Sequence, residues 1–223
     1  MKTVLLFDVN ESLLDLRALA PHFERVFGNS EILSEWFAQV LRSAMLTVIT
    51  GQYSDFATVG RSALDMTAQR HGISLTDENR GQIVGGMRTL PPHPDVLPAF
   101  EKLREAGYRM ASLTNSPPAV ARAQLENAGV APFLEKIISV DEVKSLKPAA
   151  KVYHHGARVM GVEPGQARLI AAHSWDVAGA IAAGCKGAFI ARSGMVLNPL
   201  FQVPDVVGAD LLEVAQRLIE SER

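Results

Sequence analysis

Short apolar runs that alternate with helix-patterned segments constrain the fold of this 223-residue sequence more than any other feature. An apolar run at residues 3–7 opens the chain, and from about residue 92 onward further runs predict strands at 108–114, 136–140, 168–172 and 187–191. The segments beside them predict helices at 95–106, 117–128, 149–161, 175–184 and 209–221. Strands that alternate with helices form parallel sheets. We therefore predict an α/β protein with a doubly wound, mostly parallel sheet and helices on both faces.

One long segment breaks this alternation. From about residue 16 to residue 87 the pattern predicts consecutive helices without a strand among them. The segment ends at Leu90-Pro91-Pro92-His93-Pro94, where three prolines stiffen the return to the sheet, as suits a hinge. We expect a core domain of residues 1–14 and 91–223 and an inserted helical cap domain of residues 15–90.

Composition narrows the possible partners. The net charge is −2 and the basic residues form no run, so neither nucleic acid nor an anionic membrane is expected as a partner. The single cysteine, Cys185, cannot form an internal disulfide. The N-terminus has no signal-peptide pattern, and no apolar stretch approaches membrane-spanning length. We expect a cytoplasmic protein that acts on a small molecule.

Polar residues follow the predicted strands where an open parallel sheet binds its ligands, outside the carboxyl ends. These strand ends carry Asp8, the triplet Thr114-Asn115-Ser116, Lys147 and the segment 173–176. Together they supply a candidate nucleophile, neutral hydrogen-bonding groups, a cation and a second acid. Two residues after Asp8 stands Asn10, whose amide cannot exchange a proton at neutral pH.

Four motifs in this order resemble those of the haloacid dehalogenase superfamily and, within it, the type II 2-haloacid dehalogenases. Phe7-Asp8-Val9-Asn10-Glu11-Ser12-Leu13 resembles the first motif, Leu113-Thr114-Asn115-Ser116 the second, Leu146-Lys147-Pro148 the third, and Ala171-Ala172-His173-Ser174-Trp175-Asp176 the fourth. The resemblance spans the whole chain and includes the helical cap after the first motif. It implies a Rossmann-like core.

The resemblance implies a reaction and catalytic roles. Asp8 attacks the α-carbon of a short (S)-2-haloalkanoic acid and displaces halide with inversion, which gives an aspartyl ester that water then hydrolyses. Lys147 is the cation beside Asp8, and Asp176 activates or positions the water. Halide leaves without a proton, so neither a general acid nor a metal is required, and we expect no cofactor and no metal site.

The resemblance also implies substrate contacts. Thr114 and the backbone amides after Asp8 hold the carboxylate, and Asn115 faces the halide. Ser12 bonds to the Asp8 or Lys147 side of the site. The other candidate substrate-binding residues are Asn10, Phe37, Tyr153, His173 and Trp175.

Four of these candidates have alternative readings. Trp175 packs the start of the following helix, with any substrate contact secondary. The family has a halide-binding arginine where this chain has Phe37, whose ring either contacts halide weakly or packs inside the cap. His173 either orients water, or senses pH near its ordinary pKa of about 6.5, or is a buried histidine bonded to backbone. Tyr153 lies near the site or serves packing alone.

Other functions remain open at this stage. Asp8 would open a strained ring that bears a carboxylate, such as azetidine-2-carboxylate, by the same attack. A magnesium-dependent phosphatase of small metabolites is disfavoured by Asn10 and Ala172, which stand where phosphatases of the superfamily carry acids. A binding-only descendant is a third class. A homodimer formed through the cap is a further expectation from the resemblance.

Overall fold

A six-stranded parallel sheet forms the centre of the protein in a computed structural model, which describes residues 2–222. The sheet has the order β3-β2-β1-β4-β5-β6, and all five strand pairings are parallel. The strands are β1 Val4–Phe7, β2 Met110–Thr114, β3 Lys136–Ser139, β4 Ala167–Ala171, β5 Lys186–Ile190 and β6 Val206–Gly208. The predicted α/β fold is confirmed.

Nine α-helices accompany this sheet in the described part of the chain. They are α1 Ala20–Phe27, α2 Ile32–Thr50, α3 Phe56–Arg70, α4 Asp77–Gly86, α5 Val96–Glu105, α6 Pro118–Asn127, α7 Ala150–Val159, α8 Ser174–Ala182 and α9 Leu211–Ser221. The helices predicted beyond residue 92 agree with α5 to α9 within two residues at each end.

The winding of the chain places the reactive loop at the middle of the sheet. From β1 the chain runs outward through β2 to β3, then crosses back to β4 and runs outward in the other direction. Right-handed crossovers in two opposite directions place helices on both faces. The direction reverses between β1 and β4, the position at which open sheets of this kind bind ligands. Asp8 follows β1 directly, and its backbone N–H donates to the Ile170 carbonyl of β4 at 3.1 Å.

Burial explains why the inner strands appear in the sequence as continuous apolar runs. All four residues of β1 are buried, and so are all residues of β2 and β4. The Phe7 ring packs on Phe100 of α5 with ring centroids 4.6 Å apart. Because a parallel sheet is covered on both faces, its inner strands have no polar side to alternate with.

One strand was missed by the sequence analysis. β6 has only three residues, Val206–Gly208, and pairs with β5 at the edge of the sheet. A run this short has no period that a pattern can reveal. It is held in place by its ladder to β5 and by α9, which packs against it.

Residues 16–89 form only helices and their connecting turns, and we call this segment the helical insertion. Within it α2 packs on α3, and the Trp36 indole N–H donates to the Gly60 carbonyl at 3.0 Å. By length and composition α2 would suffice to cross a membrane, with 19 residues and a mean hydropathy of 1.2. The expectation that no apolar stretch approaches that length is therefore wrong. Seven residues of α2 are buried inside this protein, and polar Gln39 is among them.

The helical insertion is joined to the core by two paired segments. The Asp15 N–H donates to the Pro91 carbonyl at 2.8 Å, and the His93 N–H donates to the Leu13 carbonyl at 2.9 Å. The outgoing and returning chains thus run side by side just beyond Asp8.

Replacing Gly179 with alanine should destabilise the contact between α7 and α8. A Cβ at this position would lie 2.6 Å from Pro148 Cβ and 2.7 Å from the Tyr153 hydroxyl, too close for either rigid ring. Alanine favours a helix over glycine by about 1 kcal/mol, whereas overpacking costs typically about 1–3 kcal/mol. We expect a net loss of stability in urea unfolding. The matched control is G81A in α4, where the added methyl meets no atom within 4 Å and should stabilise the protein.

Candidate active site

A buried lysine joins the two predicted catalytic acids. The ammonium Nζ of Lys147 lies 3.1 Å from Asp8 Oδ1 and 2.7 Å from Asp176 Oδ2. The side chains of Lys147 and Asp176 have no exposed surface, and that of Asp8 is 10% exposed. The structure therefore brings together the three residues that the sequence predicts as catalytic, from β1, α8 and the loop before α7.

The two acids differ in how firmly they hold their charge. Burial alone raises the pKa of Asp8, but Lys147, His173 and the Ser12 hydroxyl outweigh it and hold that pKa well below its usual range. The pKa of Asp176 is raised, because full burial and the nearby Asp8 charge outweigh Lys147. Burial lowers the pKa of Lys147, yet the two carboxylates reverse this and raise it. Asp8 is thus an anion beside a permanent cation.

Of the two partners proposed for Ser12, the structure shows Asp8. Its hydroxyl donates to Asp8 Oδ2 at 2.6 Å and accepts from the Ala172 N–H at 2.9 Å. Arg192 donates to the Ser12 carbonyl through Nε at 2.9 Å and Nη2 at 2.7 Å, and it forms an ion pair with Asp95 of 3.0 Å. The loop after β1 is therefore held from both sides.

His173 contacts two carboxylates. Its Nδ1 lies 3.3 Å from Asp8 Oδ2, and its Nε2 lies 2.8 Å from Glu11 Oε2. Of the three alternatives for His173, two place its ring at the site and the third makes it a buried histidine bonded to backbone. In the structure the ring lies at the site and bonds to side chains. No role for Glu11 was predicted from the motifs. Its partner lies 162 residues away in the chain, a pairing that no local pattern reveals.

Tyr153 and Trp175 also lie at the site. The Tyr153 hydroxyl donates to Asp176 Oδ1 at 2.7 Å, and burial together with Asp176 raises its pKa far above the ordinary value, so it remains a donor. The Trp175 ring stacks on His173 with centroids 5.3 Å apart. Tyr153 therefore contacts a predicted catalytic acid and Trp175 a predicted substrate-binding histidine, and their own contact with substrate stays a prediction.

Phe37 reaches the site from the helical insertion. Its ring stacks on the His173 ring with centroids 6.4 Å apart and an interplanar angle of 30°, and it packs edge-on against Trp36. Phe37 thus packs within the insertion, as one alternative has it, and also covers His173, while its predicted contact with halide stays a prediction. It lines a cavity of about 630 Å³ between the insertion and the core, whose core wall includes Ser116, Pro117 and Val120.

The polar side chains after β2 and β1 form hydrogen bonds within the protein. Asn115 Oδ1 accepts from the Lys147 N–H at 2.9 Å, which leaves the Nδ2 of Asn115 without a partner among residues 2–222 and available to a leaving group. Thr114 is buried, and its hydroxyl oxygen accepts from the Ser116 N–H at 3.2 Å. The amide of Asn10 bonds to a side chain of α6, and its predicted contact with substrate stays a prediction. Its Oδ1 accepts from Gln124 Nε2 at 2.9 Å.

The donor set at this site suits an ammonium group better than a metal ion. Asp8 and Asp176 each already bond to Lys147. Position 172 is a buried alanine. A magnesium ion usually keeps one or two carboxylates of its own, and binding here would have to displace Lys147 from both acids.

Comparisons with known proteins agree with this geometry. A family model described as haloacid dehalogenase-like hydrolase matches residues 2–184. Haloacetate dehalogenase H-2 of Moraxella sp. (strain B) is 28% identical over 201 residues, which cover 89% of this chain and 90% of that protein. An (S)-2-haloacid dehalogenase of Xanthobacter autotrophicus is 29% identical over 194 residues, or 86% of this chain and 76% of that protein.

A solved structure from Xanthobacter autotrophicus superimposes on the entire chain. It is the L-2-haloacid dehalogenase of Xanthobacter autotrophicus with chloropropionic acid covalently bound, with a TM-score of 0.92, 26% identity and 100% coverage of both chains. The chain belongs to the haloacid dehalogenase-like hydrolases. The resemblance to the type II 2-haloacid dehalogenases, drawn from the four motifs, is confirmed.

Proposed function

We propose that this protein hydrolyses the carbon–halogen bond of short (S)-2-haloalkanoic acids and releases the inverted 2-hydroxy acid. One observation carries the proposal: the anionic Asp8 is paired with the buried Lys147 ammonium instead of a metal, next to Asn10 instead of a proton donor. This pair suits a leaving group that departs as an anion and needs no proton. The relatives, which are a haloacetate dehalogenase and an (S)-2-haloacid dehalogenase, support the same reaction.

The proposed reaction has two steps. In the first, a carboxylate oxygen of Asp8 forms a bond to the α-carbon while the carbon–halogen bond breaks, and the halide leaves with the bonding pair. In the second, water attacks the carbonyl carbon of the resulting ester, and the bond between that carbon and the alkyl oxygen breaks. The products are the 2-hydroxy acid, halide and one proton, and Asp8 is regenerated.

The remaining residues have proposed roles in binding. Thr114 and the backbone amides after Asp8 hold the substrate carboxylate, and Asn115 Nδ2 faces the halide. Asp176 holds Lys147 in place, and Tyr153 holds Asp176. Phe37 brings no charge to the site, so the leaving group is not held by a cation from the helical insertion at this position.

Ring opening of azetidine-2-carboxylate is the second candidate. The observation that favours it is the uncharged Phe37 at the position where the resemblance calls for a halide-binding arginine. Asp8 would attack ring carbon in the same way. A magnesium-dependent phosphatase is less well supported, because both site carboxylates bond to Lys147.

The first experiment is chloride release from the separate enantiomers of 2-chloropropionate, with and without a chelator. We expect release from the (S) enantiomer only, unchanged by the chelator, with (R)-lactate as the product. A generic phosphatase substrate and azetidine-2-carboxylate serve as controls for the competing functions. Phosphate release that requires magnesium, without any chloride, would contradict the proposal.

The cap, the assembly and the location are part of the same proposal. We propose that the helical insertion acts as a cap that closes over substrate, that the protein is a homodimer and that it works in the cytoplasm. Exposed Leu46 and Ile49 on α2 support an interface at the insertion, since large apolar side chains otherwise meet water there. Size-exclusion chromatography with light scattering tests the dimer.

A further inference from the structure

The two carboxylate oxygens of Asp8 have different surroundings. Oδ1 has one donor, Lys147 Nζ at 3.1 Å. Oδ2 faces two groups, the Ser12 hydroxyl at 2.6 Å and His173 Nδ1 at 3.3 Å. Oδ1 therefore keeps the freer lone pair for attack on carbon. Once Oδ1 carries the alkyl group, Oδ2 is left as the carbonyl oxygen of the ester.

We propose that Ser12 and His173 form the oxyanion hole for hydrolysis of the Asp8 ester, with Glu11 holding His173 in place as a cation. The inference rests on the proposed function, because it concerns the second step of that reaction. When water attacks the carbonyl carbon of Asp8, the π electrons move to Oδ2, where the two donors already point. The alkyl oxygen then leaves with a proton from the water as Oδ2 re-forms its double bond.

The Ser12 hydroxyl has only one direction in which to donate. Its oxygen accepts from the Ala172 N–H at 2.9 Å, so its own proton points to Asp8 Oδ2. The Arg192 guanidinium on the Ser12 carbonyl fixes the same residue from the other side. A donor fixed in advance costs no reorganisation when charge develops.

The charge of His173 follows from its two partners. A neutral imidazole donates from one nitrogen only, so one of the carboxylates of Asp8 and Glu11 would face a lone pair. Only the doubly protonated ring satisfies both. Glu11 adopts a φ of 61°, in the left-handed region that favours glycine. A backbone conformation of this kind at a reactive loop, with the side chain bound to His173, fits a functional constraint.

Aromatic rings cover the His173 imidazolium. Phe37 and Trp175 both stack on it, and the residue is 6% exposed. Cations bind the faces of aromatic rings, which suits a charged imidazole more than a neutral one. His173 thereby brings to the site a positive charge that the uncharged Phe37 does not supply.

The pH dependence follows from the groups that face His173. The loop after β1 contributes Asp8 and Glu11, and Lys147 pairs with the other oxygen of Asp8. Asp176 lies in the first turn of α8, the helix that begins directly after His173, and α2 contributes the uncharged Phe37 ring. Burial alone lowers the pKa of His173, but its hydrogen bonds to the two carboxylates raise it to about 10. The stabilising ion pairs are thus fully present below pH 6.5 and are lost as pH rises through about 10. Ester hydrolysis should fall over the same alkaline range.

The test is rapid-quench kinetics with (S)-2-chloropropionate, in which chloride and lactate are measured separately. In H173A we expect one chloride per site in a fast burst, followed by lactate formation about 10²–10³-fold slower than in the wild type. Mass spectrometry of the peptide that contains Asp8 should find the accumulated ester. H173N restores a neutral donor and should recover part of the rate. In E11Q the alkaline limb of kcat should move to lower pH.

The matched controls are H155N and E142Q, the same kinds of substitution at a histidine–glutamate pair of 3.1 Å outside the site. Equal slowing of chloride and lactate release in H173A, with no trapped ester, would overturn the oxyanion role. An unchanged alkaline limb in E11Q would overturn the role of Glu11.

A wild type that releases no chloride from any 2-haloacid contradicts the proposed function instead. In that case NMR titration of the His173 ring still tests the hydrogen-bonded array of Glu11, His173 and Asp8, because the titration needs no turnover. A ring that is charged at pH 8 in the wild type and neutral there in E11Q supports the holding role of Glu11. A ring already neutral at pH 8 in the wild type overturns it.

Discussion

Turnover should fall by at least about 10⁴-fold in D8N, because the variant lacks the only nucleophile that the mechanism uses. An amide cannot form the ester, and at position 8 it also leaves Lys147 and His173 without their shared anion. Chloride release from (S)-2-chloropropionate measures the loss, and intact-protein mass spectrometry should find no adduct at any time.

The control for D8N is D65N, which removes an exposed carboxylate that pairs with Arg80 in the helical insertion. Its turnover should match that of the wild type. Full activity in D8N, with the substitution verified in the protein, would contradict covalent catalysis by Asp8 and with it the proposed function.

Replacing Lys147 with methionine should damage both stability and activity. The variant keeps the volume of the side chain but leaves Asp8 and Asp176 close together without their shared cation. Removing one partner of a buried ion pair costs about 3–5 kcal/mol. We expect that loss in urea unfolding near neutral pH, together with a fall in turnover of at least about 10²-fold.

A second substitution separates the two effects of K147M. In K147M/D176N the buried charge left on Asp176 is removed, so part of the stability should return while activity stays low. The control K151M removes an exposed lysine in the first turn of α7 and should change neither quantity. Equal stability of K147M and wild type would mean that water reaches the two acids and that the ion pair is not truly buried.

Most of the order of elements could be predicted from the sequence because the inner strands β1, β2 and β4 are buried and locally apolar. Runs such as 110–114 in β2 and 167–171 in β4 are buried at every residue, so burial by the fold and apolar character in the sequence coincide. The three-residue β6 has no such signal, since its place depends on the ladder to β5. The apolar character of α2 was underestimated for a different reason, because its scattered polar residues break the run by eye without lowering its mean hydropathy below 1.2.

The candidate site also has a part that the sequence predicts and a part that depends on the fold. Parallel strands deliver their carboxyl ends to one edge of a sheet, so the positions of Asp8, Lys147 and Asp176 after apolar runs were enough to predict that they meet. The sequence alone thus determined the fold class and predicted which two acids and which cation meet at this edge.

Only the tertiary structure decided how these groups are arranged. The bond of Lys147 to both acids, the Glu11–His173–Asp8 array and the Arg192 clamp on Ser12 join residues between 29 and 180 positions apart. Their partners are selected by side-chain direction in the packed core, a property that has no local period and so leaves no trace in sequence pattern. Burial then sets the charges, because it removes water and leaves each ionisable group to the neighbours that the fold provides.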